Sequence, residues 1–294
     1  MGEYSSYPII LAIGIADIFK NSAQYYKFCS SGFSRIPETA EGVLGYGRWR
    51  IQFPRRDRRS MEDKLKLDIL PQPDDTTCGP TCLHAVYRYL GDDIALDQVI
   101  RQVQTLDGGG TLAVMMGNHA LSRGYSAVIY TYNLMIFDPT WFQPGVDLKQ
   151  RLLQRARGTE SKKQQLAIEQ YVRFIEQGGQ IFLEDLSRSL LRHHLKRGSP
   201  IITGLNSTYL YRTMRVVGDC TDDDVRGDVV GHFVVLCGYD LISHRITVAD
   251  PYVGNPYSSS HYYEAEMDRL VCAILLGVMT YDANLLIVRP AAKR

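Results

Sequence analysis

The segment Gln72-Pro-Asp-Asp-Thr-Thr-Cys78-Gly79-Pro80-Thr-Cys82 holds the residues best suited to chemistry. It closes an extended run, Leu65 to Leu70, and opens a helix. Unpaired backbone N–H groups and the helix dipole at that end favour a thiolate at Cys78. Far downstream, Gly231-His232-Phe-Val-Val-Leu-Cys-Gly-Tyr-Asp240 and Arg245-Ile-Thr-Val-Ala-Asp250-Pro251 read as two strands. A turn near Leu241 to Ser243 lets an antiparallel register set His232 opposite Asp250, both at the open end of the hairpin. Neighbouring strands lie about 5 Å apart, so the carboxylate reaches the ring and fixes its tautomer. The Cys78 N–H and a side-chain N–H of Gln72 stand ready to hold an oxyanion. Nucleophile, base, orienter and oxyanion donor are the four parts of acyl transfer through a thiol.

Each residue also has a plainer reading. Cys78 alone is a buried helix cysteine, and Gln72 alone a solvated loop residue; the four in combination favour chemistry. Gly79 lets the chain pass closely and Pro80 suits a first helical turn. Gly79, Gly231 and Tyr209 are candidates for contact with a substrate, and Tyr209 and Tyr211 fall in a loop that could rim a cleft. Cys78, Cys82 and a histidine lack a second ligand pair for a metal, so neither metal nor cofactor is expected. Cys82 reads as core packing. Cys237 and Cys272 lie in apolar runs and are expected to be buried. Cys220, beside Thr221-Asp-Asp-Asp224, reads as part of an exposed acidic loop.

The elements that must position these residues are of both kinds, giving an α+β class. Helices are expected over Cys78–Leu90, over Ala95–Gln104, and from a Thr111 cap to Arg123. Gly108-Gly-Gly110 reads as a turn. Strands are expected at Ser126–Tyr132, Pro200–Leu205, His232–Tyr239, Ile246–Asp250 and Leu285–Val288. Residues 147–197 read as two or three surface helices inserted into the core, broken at Gly158 and Gly178-Gly179. His193 and His194 close the last of them, where they complement the helix dipole. His119 reads as structural, while His84, His244 and His261 show no evident partner. Residues 138–142 read as a packed loop.

Residues 1–60 differ from the remainder. Arg48, Arg50, Arg55, Arg56, Arg58 and Arg59 crowd around Pro54, and a solvated linker fits them better than a nucleic-acid patch. A peptidase-type core is expected over 61–294. With 294 residues and a formal net charge of +1, the chain has no global field to recruit nucleic acid or membrane. Six scattered cysteines fit a reducing compartment, and the apolar run Tyr7–Phe19 is too short to span a bilayer. The expected location is the cytoplasm.

These motifs together resemble the C39 family of papain-like cysteine peptidases. That family's pattern is a glutamine, five residues, Cys-Gly-x-x-Cys or Ala, then a Gly-His-hydrophobic strand and a hydrophobic strand ending Asp-Pro. It is met here by Gln72, Cys78-Gly79-Pro80-Thr81-Cys82, Gly231-His232-Phe-Val-Val-Leu and Val248-Ala249-Asp250-Pro251. The resemblance covers roughly residues 65–290. It implies a papain-like fold, with an N-terminal helical part carrying the nucleophile and a C-terminal antiparallel sheet carrying His and Asp. By it, Cys78 is nucleophile, His232 general base, Asp250 orienter and Gln72 oxyanion donor. It also implies peptide or isopeptide cleavage through a thioester. The likeness is nearest to the stand-alone group associated with ATP-grasp peptide ligases, some of which carry a GNAT acetyltransferase domain. Asn21, Tyr26 and Gly32-Phe33 resemble the tail of such a domain. Leader specificity does not transfer, because the chain has no nucleotide-binding motif and carries the 147–197 segment. An acyl or peptidyl transferase using the same cysteine, and a catalytically silent peptide-binding module, are the alternatives.

Overall fold

The computed structural model describes residues 62–218, 221–280 and 282–291. The arginine-rich stretch, the GNAT-like residues, Cys29 and Cys220 lie outside them. Strand β1 (Glu62–Lys64) leads to helices α1 (Cys78–Tyr89), α2 (Leu96–Gln102) and α3 (Ala113–Ser122), then strand β2 (Tyr125–Thr131). Next come α4 (Leu148–Arg157), α5 (Lys162–Glu176), β3 (Gln180–Phe182) and α6 (Arg188–Lys196). Strand β4 (Ile201–Asn206) runs straight into α7 (Ser207–Tyr211), followed by a small ribbon of β5 (Val216–Val217) and β6 (Thr221–Asp222). The chain closes with β7 (Gly231–Asp240), β8 (Arg245–Ala249), β9 (Tyr262–Glu266), α8 (Met267–Leu276) and β10 (Asn284–Pro290).

Eight strands form one sheet in the order β3-β2-β10-β4-β7-β8-β9, with β1 pairing the far end of β7. All pairings are antiparallel except β2 with β3. Strand β7 is covered on both faces, which is why it reads as an almost continuous apolar run. Phe233, Val235 and Cys237 face the core built by α1, α3 and α5, with Leu83, Val86, Met116 and Phe174. Val234 and Leu236 face the second core, built by α6 and α8, with Leu191, Leu195, Leu270 and Ile274. Strand alternation puts His232 on the side of Val234, at the end of the strand.

The strands expected from sequence appear within a residue or two of their predicted ends. Three features differ. Thr111 does not cap α3: its hydroxyl donates to Gln104 O at 2.8 Å, and Asp282, just before β10, accepts the N–H of Ala113 at 3.1 Å. Residues 147–197 are more than surface helices. They supply β3 as an edge strand, and α5 buries Ala167, Ile168, Tyr171 and Phe174 in the main core. Finally, β9, α7 and α8 were not anticipated. Among the described residues no helix is long and apolar enough to cross a membrane.

Candidate active site

The loop before α1 is braced by Asp74. Its Oδ1 accepts from Thr76 N and Thr76 Oγ1, both at 2.8 Å, and its carbonyl accepts from Thr77 Oγ1 at 3.1 Å. The Thr77 side chain makes no capping hydrogen bond to α1. Gln72 sits in the same braced loop. Its Nε2 donates to Asp74 O at 2.9 Å, and its backbone N–H donates to Pro251 O at 3.0 Å. That second bond ties the glutamine's loop to the residue following Asp250.

His232 and Asp250 meet as expected, by a different register. Strands β7 and β8 pair Val235 with Ala249 and Leu236 with Val248, with an irregularity before Gly238. Continued, this register sets Asp250 beside Val234, so His232 is a diagonal neighbour on the same face, within reach of a long side chain. His232 Nε2 donates to Asp250 Oδ1 at 2.8 Å. Cys78 also acts on the imidazole, and Nδ1 is the ring nitrogen not bonded to Asp250. Burial by itself lowers the imidazole pKa. The charge and hydrogen bond of Asp250, then those of Cys78, outweigh it and push the value up to about 10. Cys78 is 3% exposed, His232 1% and Asp250 0%, so these interactions act in a low-dielectric site where they are strong. The Tyr252 ring stands edge-on against the imidazole, centroids 6.3 Å apart.

Asp250 is held more completely than a hairpin alone predicts. Tyr252 N donates to Oδ1 at 2.9 Å, and Tyr263 OH donates to Oδ2 at 2.9 Å. Tyr211 OH also donates to Oδ2. The main chain of Asp250 is clamped by His261, whose carbonyl accepts the Asp250 N–H at 2.8 Å and whose Nδ1 donates to Asp250 O at 2.7 Å. Burial, then the neighbouring Asp250 charge, raises both tyrosines well above the usual phenol pKa, so they remain donors. Sequence reading missed Tyr263 and the partner of His261. It is the β8–β9 ladder, pairing Val248 with Tyr263, that places this ring diagonal to Asp250.

The other candidates separate. Gly79 and Gly231 have packing reasons for lacking a side chain. A Cβ at Gly79 would lie 2.6 Å from Thr111 Cγ2, and one at Gly231 would lie 2.7 Å from Thr280 Oγ1. Tyr209 is 44% exposed, on helix α7 rather than a loop, two residues from Tyr211. Cys82 is fully buried and donates to Phe233 O at 3.3 Å; burial, then Cys78 and Asp250, pushes its thiol well up. Cys237 is buried, whereas Cys272 is exposed on α8, contrary to expectation. His194 is not a cation at the end of α6. Burial and the nearby Arg289 lower its pKa to about 4, and its Nδ1 accepts from Arg289 at 2.9 Å. Among the described residues no group of three or more His, Cys, Asp or Glu is placed to hold a metal ion.

A helix-borne thiol meeting an imidazole and carboxylate carried by an antiparallel sheet is the α+β arrangement described above for papain-like peptidases. No family model matches the chain, and no curated protein does. Several solved structures are similar to it. A C39-like peptidase from Bacillus anthracis shares 14% identity at a TM-score of 0.43, covering 78% of this chain and 96% of its own. A double glycine motif protease from an AMS/PCAT transporter, in complex with the leader peptide, shares 14% identity at 0.37, covering 78% and 94%. Xylellain, a cysteine protease from Xylella fastidiosa, shares 13% identity at 0.39, covering 92% and 98%. These likenesses are distant, and the chemistry open to the site follows from its own geometry.

Proposed function

We propose that the chain is a cysteine hydrolase that cleaves a peptide or isopeptide-like amide through a thioester. The observation that carries this reading is a buried His232 bonded through Nε2 to Asp250 Oδ1 at 2.8 Å, with Cys78 close enough to act on the same ring. In this reading the Cys78 sulfur attacks the amide carbon, and Gln72 with the Cys78 N–H holds the oxyanion. The C–N bond breaks as His232 gives its proton to the leaving amine. Water then attacks the thioester, His232 takes one of its protons, and the thiol leaves as the acid is released. Asp250 holds the ring in the required tautomer throughout.

The cytoplasm, a peptidase domain spanning 61–294, and trimming of a peptide made by an ATP-grasp ligase are the proposed setting. Purified protein is incubated with a peptide library and a thiol-directed activity probe. Wild type should label at Cys78 and cleave; Cys78→Ala should do neither. Equal cleavage by Cys78→Ala would sink the reading. Mass analysis with an added amine distinguishes hydrolysis from transfer, because only transfer leaves the amine joined to the acyl product.

A further inference from the structure

Asp250 has no contact with solvent, yet its carboxylate accepts four hydrogen bonds: His232 Nε2 and Tyr252 N on Oδ1, Tyr263 OH and Tyr211 OH on Oδ2. The two tyrosines come from different elements, α7 and β9, and both are buried in the second core. Tyr257 packs on both rings, 6.1 Å from Tyr211 and 5.0 Å from Tyr263 between centroids. Two phenols from separate elements converging on one carboxylate oxygen is more than tautomer control needs, since Oδ1 alone orients the histidine.

We propose that Tyr211 and Tyr263 are positioning residues of the site: their hydroxyls together hold the outer oxygen of Asp250 and set how tightly the His232–Asp250 pair keeps its proton. A buried carboxylate needs donors most when its cationic partner is gone, because the anion then stands alone in a low dielectric. The phenols stabilise that proton-released form, and so favour giving the proton away. Without them the dyad clings to it. The remaining groups that face this carboxylate are Tyr252 from its own loop and Cys82 from α1, with Cys78 acting on the ring and His261 on the main chain.

This role rests on the hydrolase reading only for its kinetic consequence; proton affinity is measured without substrate. The ¹⁵N imidazole resonances of the full chain are followed against pH and assigned to His232 by their loss in His232→Gln. Tyr211→Phe and Tyr263→Phe, which remove only the hydroxyl, should each move the His232 midpoint up by about one pH unit. The double variant should move it further, and Asp250→Asn should move it down. In kinetics the single variants should lower kcat with KM retained and carry the alkaline limb upward. An unmoved midpoint, with only the melting temperature lowered, would overturn the proposal and leave the tyrosines as packing. If the double variant does not fold, the single variants decide. A shifted midpoint in a protein that cleaves no amide would sink the hydrolase reading and leave the role of the tyrosines standing.

Discussion

At the scale of single residues, the site divides into groups that touch a substrate and groups that hold them. Gln72 belongs to the first kind in the proposed reaction. Gln72→Ala should lower kcat about 10²–10³-fold with little change in KM, as expected for a donor used mainly in the transition state. Steady-state kinetics on the cleaved peptide checks this. In the proposed reaction His232 must carry a proton to release the amine, and its pKa is raised to about 10, so activity should be lost as pH climbs through that value. Asp250→Asn removes the main cause of the rise, and the alkaline limb of kcat/KM should then move down toward neutrality; a limb that stays in place would contradict the electrostatic account. Three of the proposed site residues stand out in the sequence because each sits at an element end with a distinctive neighbour: Cys78 before Gly-Pro, His232 after Gly231, Asp250 before Pro251. Tyr211 and Tyr263 do not, because nothing local marks them. Their partner is a carboxylate many residues away, reached through a diagonal register and an unanticipated helix.

Among the elements, α5 carries the clearest consequence. Its charged sequence reads as a surface helix, yet Phe174 is fully buried against Gly117 and Gly179, where a Cβ at either glycine would lie 2.6 and 2.5 Å from the ring. Phe174→Ala should therefore cost about 3–5 kcal/mol, the range for truncating a buried phenylalanine. Urea unfolding checks it, and a loss well under about 1 kcal/mol would mean the segment is dispensable to the core. The strands were legible because β4, β7, β8 and β10 are strongly apolar and flanked by turn residues. Strand β9, Tyr-Tyr-Glu-Ala-Glu, follows a serine-rich loop and alternates over only five residues, too short a signal to separate from that loop. The missing Thr111 cap has a similar cause: a distant carboxylate took the N–H that local pattern assigned to the threonine.

For the molecule as a whole, two buried histidines set opposite edges of a stability window. His194 is neutral in the fold, with its pKa lowered to about 4. Below about 6.5 the unfolded chain takes up a proton that the folded one refuses, so stability should fall as pH drops from there toward 4. His232 is shifted the other way. Its contribution is fully present below about 6.5 and should be lost as pH rises through about 10. Urea midpoints measured across pH should trace both slopes, and His194→Gln should flatten the acid one.

The central strand of the sheet is also a clock. Strand β7 takes β1 and β4 from earlier chain and β8 from later chain, and Asp250 and Tyr263 follow it. A ribosome delivers the sulfur of Cys78 long before the ring of His232, and that ring before Asp250 and Tyr263. A nascent chain stalled ahead of Tyr263 lacks one of the donors to Asp250, so in the proposed reaction full chemical competence arrives only after Tyr263 has been added.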